Sequence, residues 1–180
     1  MELAFTFPDP LNTTLFCPKD AADSPSYAVH TERGVTTIEK QVAVPEALEG
    51  LEDQDVEVRE AQTILVVRLH WQHGGSTLCV GDCAWENEKP IHSFMPRERW
   101  YANSRTFVSQ GVTYVWRDWP IQPLQLFRAK ESKPVAVLYG GSFEQWHLRV
   151  QESALDMIDT VVVTGMVMLK KRLDRKRGHD

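Results

Sequence analysis

Along most of the chain, short runs that alternate apolar and polar side chains are separated by turn-forming residues, the pattern of an antiparallel all-β domain. The clearest run is 63-TILVVRLHW-71, in which Leu65, Val67, Leu69 and Trp71 share one face and Ile64, Val66, Arg68 and His70 share the other. Successive side chains of a strand point to opposite faces, so the first set is expected in the core. In 105-RTFVSQGVTYVWR-117, Gln110-Gly111 separates two alternating runs and reads as a hairpin turn, with Gly supplying a positive φ. Further strands are expected in 2-ELAFTF-7, 12-NTTLFC-17, 26-SYAVHT-31, 35-VTTIEKQV-42, 77-TLCV-80, 123-PLQLFR-128, 134-PVAVLY-139 and 145-QWHLRV-150. About ten strands ahead of any helix is the count of a barrel or a sandwich.

Two segments interrupt the pattern. In 46-EALEGLEDQDVEVRE-60 seven acidic residues stand against one base, which reads as a solvated loop, with an acidic partner-binding patch as the alternative. The Pro-bounded 18-PKDAADSP-25 reads as a mobile loop.

After residue 152 the pattern changes to a helix, expected from about 154 to 172. Ser153 is its expected N-cap, Asp156 lies near the free amides of the first turn, and a Lys/Arg cluster lies where the helix dipole favours cations. Its uncharged part, Thr160 to Leu169, is ten residues, whereas a transmembrane helix needs about 20. A helix carrying Val161, Val162, Val163, Met166, Val167, Met168 and Leu169 around most of its circumference must be enclosed by other structure. The enclosure expected from a strand-rich chain is a single antiparallel β-barrel wrapped around it. A final strand is the alternative, because the Val run has modest helix propensity. Gly165 fits a close helix-to-strand approach in either case.

The 180 residues are 42% hydrophobic and 25% charged, which suits one domain, expected over 1–173, with a disordered basic tail over 174–180. MELAFTFPDP lacks the features of a secretory or mitochondrial leader, so the expected placement is cytoplasmic, with peripheral membrane contact. Three cysteines, Cys17, Cys79 and Cys83, suggest reduced thiols rather than a disulfide framework. The net charge of −5 hides an asymmetry: Lys170, Lys171, Arg172, Arg175, Lys176 and Arg177 lie together, while the body through Leu169 has 23 acidic and 14 basic residues. Such a body is a poor nucleic-acid binder, but the tail suits acidic lipid headgroups.

Several stretches together resemble a known family: 10-PLNTTL-15, 27-YAVHT-31 followed by 36-TTIEK-40, Trp71, 104-SRTFVSQGVTYVW-116, 135-VAVLY-139 and 155-LDMIDTVVVTGMVMLKKR-172. In their order they resemble an uncharacterised family from mushroom-forming (basidiomycete) fungi, whose domain of unknown function is grouped with the tubby C-terminal domain, the phospholipid scramblases and the LURP-one-related proteins. The resemblance implies a barrel of about twelve strands closed around a C-terminal hydrophobic helix. It brings no established activity. The acidic loop 46–60 and the segment 79–83 depart from the family pattern.

Candidate chemistry is sparse. The stretch 70-HWQHGGSTLCVGDC-83 offers His70, His73, Cys79 and Cys83 as a weak metal alternative, yet the spacings are not those of a zinc finger, and the plainer reading is a strand end, a Gly-Gly turn and small buried cysteines. No nucleophile motif or phosphate-cradling Gly loop is present, and no cofactor is implied. Asp156 and Asp159, at i,i+3 spacing, are expected to act structurally at the helix start. Arg97, Arg99, Arg105 and Arg117 interleave with the aromatics of 100-WYANSRTF-107, Tyr114, Trp116 and Trp119. These read as core with an Arg rim, or as a membrane-interface patch.

Two functions follow. The first is a non-enzymatic, tubby-like module binding acidic phospholipid headgroups or a protein partner through Lys170, Lys171, Arg172, Arg175, Lys176 and Arg177, with Arg105, Tyr114, Trp116 and Asp159 as a candidate pocket. The second is an enzyme or carrier for a small apolar molecule, for example in fungal secondary metabolism, using a cavity at a barrel end.

Overall fold

The computed structural model describes residues 1–18, 25–43, 61–72, 75–81, 88–99, 103–141 and 144–178. Its strands are β1 (Glu2–Phe5), β2 (Thr13–Phe16), β3 (Ser26–Glu32), β4 (Val35–Ala43), β5 (Ala61–His70), β6 (Thr77–Val80) and β7 (Lys89–Pro90), followed by β8 (Arg105–Ser109), β9 (Val112–Arg117), β10 (Leu124–Arg128), β11 (Pro134–Gly141) and β12 (Glu144–Val150). A one-turn helix, α1 (Ile91–Phe94), follows β7, and a 3-10 turn over Glu152–Met157 leads into α2 (Ile158–Arg177). Every expected strand is present. Gln110 and Gly111 have φ of 50° and 75°, as the hairpin reading required. Only β7 and α1 were not foreseen, since two and four residues are too few to show a period.

The twelve strands form one antiparallel sheet in the order β7-β6-β5-β4-β3-β2-β1-β12-β11-β10-β9-β8. Neighbours in sequence are neighbours in space, except that β1 pairs with β12 and no ladder joins β7 to β8. The expected closed barrel is therefore corrected to an open sheet. The reason lies at its edges: β7 is two residues long and ends in Pro90, which has no N–H to offer a further strand. The chain then turns into α1 and returns along the other edge. There Thr106 N–H donates to the Pro96 carbonyl at 2.9 Å, Glu98 N–H donates to the Ser104 carbonyl at 3.2 Å, and Arg97 forms an isolated bridge with Arg105.

Helix α2 is enclosed without that closure. Every residue from Val161 to Leu169 is buried, in one cluster with Leu3, Phe5, Tyr27, Ile38, Val67, Leu69, Trp116 and Leu126 from the strands. The alternative of a final strand at Val161-Val162-Val163 is overturned, because these residues lie in α2, and a strand in the sheet would present such side chains to two faces instead of one enclosed core. No helix among the described residues is long and apolar enough to cross a membrane.

The helix also differs in extent from the expected 154–172. It continues to Arg177, so Asp174 to Arg177, placed by sequence in a disordered tail, form its last turn. Ser153 lies inside the 3-10 turn, and the residue at the N-cap of α2 is Met157, which makes no side-chain capping bond. Cys79 is disulfide-bonded, which corrects the expectation of reduced thiols for that residue, while Cys17 is buried and outside any disulfide. The acidic loop 46–60 lies outside the described residues, as do positions 19–24 of the loop 18–25.

Candidate functional site

The two ends of α2 carry different chemistry. At the first, Asp159 accepts a hydrogen bond from the Tyr27 hydroxyl at 2.5 Å and pairs with Lys40 at 2.9 Å. Burial, and then the Asp159 carboxylate, push the Tyr27 phenol far above its ordinary pKa. Asp156 is exposed and joins no cluster. The Tyr27 and Lys40 contacts of Asp159 tie this end of the helix to β3 and β4.

The candidate pocket of Arg105, Tyr114, Trp116 and Asp159 is not one pocket. Trp116 is buried mid-helix, donating its indole N–H to Thr164 Oγ1 at 2.8 Å, and Tyr114 stacks on Phe107 with 5.5 Å between ring centroids. Asp159 and Lys171, whose ammonium feels the Arg105 charge, are twelve positions apart, about 18 Å along a helix. The alternation of β8 and β9 turned these aromatics into the core, leaving Trp119 exposed in the following loop.

The basic tail is spread around the last turns of α2 rather than forming one patch. Lys170 pairs with Asp174 at 2.5 Å and lies 5.4 Å from the ring centroid of Trp71. Arg172 and Arg175 both bind Asp118, whose side chain is buried; Arg172 Nε reaches Oδ1 at 2.7 Å, and its Nη1 donates to the Gln122 carbonyl at 2.9 Å. Lys171 and Arg175, one turn apart, approach Arg105 and Arg97. Burial first, then the Arg105 and Arg97 charges, holds Lys171 below its ordinary pKa; burial and Arg97 do the same to Arg175, and burial, Arg97 and Arg175 to Arg105. Arg105 is itself buried and donates to the Met95 carbonyl at 2.9 Å. Lys176 and Arg177 are exposed.

Asp118 begins a loop that sequence reasoning did not single out, 118-DWPIQP-123. Its tip is Ile121, fully exposed and held at φ 68° after Pro120. That backbone position normally takes Gly or Asn, and a β-branched residue there is an outlier. Trp119 is 43% exposed, with the Arg117 guanidinium 5.6 Å from its ring centroid. The available signal was an apolar pair, Trp119 and Ile121, on either side of Pro120 in a loop that holds a second proline, Pro123.

Between this loop and the sheet lies a cleft of about 950 Å³. Its lining combines apolar side chains, Trp119, Ile121, Pro123, Leu138 and Trp146, with the charged Arg172, Arg175, Lys176 and Asp118. Gly140, at φ 138°, lies at the irregularity between Tyr139 and Gly141, and a Cβ there would fall 2.7 Å from the Trp146 Cα. Glycine is thus required for β11 to press against β12 at the cleft wall.

The weak metal alternative does not stand as a four-ligand set. Disulfide bonding takes Cys79 out of the thiolate form that binds zinc, and His70 is instead buried 3.5 Å from Glu88. His73 and Cys83 lie outside the described residues.

No curated protein and no solved structure matches the chain. Residues 8–174 match the model of a family of unknown function (DUF6593), from the turn after β1 to the last turn of α2, and the chain belongs to that family.

Proposed function

We propose that this chain is a non-enzymatic, tubby-like module that docks on acidic phospholipid surfaces through the C-terminal end of α2. The observation that carries this reading is Ile121: a fully exposed apolar side chain, in a backbone conformation unfavourable to it, beside a cluster of cations. Strain of this kind persists where surrounding structure enforces it, and it concentrates at sites that act. Here the Arg172 bonds to Asp118 and to the Gln122 carbonyl hold the loop on both sides of Ile121.

The physical division of labour is that of an interfacial module. Ile121 and Trp119 enter the headgroup boundary, while Arg175, Lys176 and Arg177 lie at headgroup level, where each cation near an acidic leaflet contributes about 1 kcal/mol. The acidic body of the molecule then faces away from the membrane. A sheet curled around a buried C-terminal helix supports kinship with the tubby-like group, and the fungal source and a peripheral cytoplasmic placement belong to the same proposal.

Co-sedimentation with neutral and acidic vesicles at low and moderate salt tests it. Binding to acidic vesicles that falls with salt, and is lost in Ile121→Asn and weakened in Lys176→Gln, is the expected result. Protein that stays in the supernatant with every vesicle removes the membrane reading and leaves a protein partner or a small apolar ligand.

A further inference from the structure

We propose that the cleft beside the helix end binds one molecule of an anionic amphiphile, with an acidic head and a single apolar chain, as in a fatty acid or a lysophosphatidate. The inference deepens the docking proposal and rests on it for the source of the ligand, a bilayer leaflet. The lining holds two kinds of chemistry. Three cations of the last turns of α2 share the lining with apolar side chains, of which Trp119 and Ile121 are exposed. A site for a bare headgroup has no use for the exposed Trp119 and Ile121 side chains in its lining. A site for a neutral hydrocarbon has no use for three cations, whose mutual repulsion an acidic head relieves.

Size and charge agree. The cleft, about 950 Å³, is at the upper end of the roughly 300–1,000 Å³ typical of pockets that bury a small ligand. Its lining carries Arg172, Arg175 and Lys176 against Asp118 and Glu144, and Asp118 is already shared by two guanidiniums. Arg97 and Arg105 add positive potential behind Arg175 and Lys171. The head is therefore drawn to the Lys176 side and the chain lies toward Trp146, across the stretch that Gly140 shapes. Ionic attraction supplies orientation, and burial of the chain against the exposed Trp119 and Ile121 side chains supplies most of the affinity.

The test uses the full chain without vesicles. Tryptophan fluorescence is followed as 9,10-dibromostearate is added below its critical micelle concentration, with the brominated methyl ester as the neutral probe and inorganic phosphate as competitor. Saturable quenching by the acid, weak quenching by the ester and no displacement by millimolar phosphate are expected. Trp119→Phe removes part of the quenched signal, which places the chain in this cleft. Lys176→Gln weakens binding by about fivefold, the scale of one exposed ion pair, and Lys176→Glu weakens it further.

Equal quenching by acid and ester overturns the proposal in favour of a neutral apolar ligand. Displacement by phosphate at the same occupancy overturns it in favour of a headgroup-only site, and absence of quenching overturns it outright. The docking reading fails separately: quenching without vesicle binding leaves the cleft and removes the membrane, whereas vesicle binding without quenching does the reverse.

Discussion

Trp116 and Thr164, 48 residues apart, meet through an indole N–H to hydroxyl hydrogen bond of 2.8 Å in which both side chains are wholly buried. The bond ties β9 to the middle of α2, within the apolar core, and adds a directional contact to packing that is otherwise set by shape. Thr164 Oγ1 in turn donates to the Thr160 carbonyl at 2.7 Å, so the network has no loose end. Thr164→Val removes the acceptor and leaves the Trp116 N–H buried without a partner, and the expected loss is about 1–3 kcal/mol. Thr164→Ser retains the acceptor and recovers most of it. Urea unfolding of the three proteins measures the difference, and equal midpoints for Val and Ser would show that the bond does not fix the helix.

One residue along, Gly165 faces the same ring. A Cβ there would sit 3.4 Å from Trp116 Cζ2, an ordinary contact, while alanine favours a helix over glycine by about 1 kcal/mol. Gly165→Ala is thus expected to keep or raise stability. Gly165→Leu forces the indole aside and costs roughly 1–3 kcal/mol. Thermal melts of both variants check the opposite signs.

Enclosure of α2 makes a stronger demand. Val162 is fully buried and Met166 nearly so, on a helix with no solvent-facing side over this stretch. Val162→Asp or Met166→Asp places an unpaired charge in the core and is expected to cost more than about 4 kcal/mol, enough to abolish cooperative folding. Lys176→Asp, on an exposed part of the same helix, should change stability by under about 0.5 kcal/mol. Circular-dichroism melts separate the cases, and a soluble, cooperative Val162→Asp protein would refute the enclosure.

Tyr27 gives a pH dependence with a definite sign. Its folded pKa is raised, by burial and then by Asp159, above the ordinary value of 10. The folded state thus keeps a proton that the unfolded state releases at alkaline pH. Stability from this group is complete below about pH 10 and declines as pH rises beyond it. Tyr27→Phe should lose about 0.5–1.5 kcal/mol at pH 7 with the hydrogen bond, and its stability should fall less steeply above pH 10. Tyr139, whose pKa is also raised by burial and by Glu2, leaves a residual slope. Denaturant titrations from pH 7 to 11 read both effects, and parallel curves for the two proteins would contradict the assignment to Tyr27.

Ile121 separates stability from binding. Left-handed backbone costs an L-residue roughly 1–2 kcal/mol, and Asn bears it better than a β-branched side chain. Ile121→Asn is expected to raise stability by about 1 kcal/mol while losing affinity for acidic vesicles. A variant that is both more stable and weaker in binding would mark Ile121 as retained for contact. A variant less stable than the parent would mean that the side chain supports the fold.

The sequence by itself determined the elements. Alternation placed the strands and the Gln110-Gly111 turn, because strand periodicity is a local property, and an apolar surface all around 161–169 required an enclosed helix. The resemblance to a tubby-like family named the same arrangement, a sheet around a C-terminal helix, but overstated its closure. Whether the sheet closes depends on its edges, and a two-residue β7 ending in Pro90 leaves no periodic trace. The tertiary structure alone decided how the basic residues are used. Asp118 and Arg172 are 54 positions apart, and only the packed sheet brings the carboxylate to the helix end, where it gathers two guanidiniums and divides the tail into separate faces. The sequence likewise showed Trp119 and Ile121 as loop residues, while their exposure beside those cations follows from that one long-range pairing.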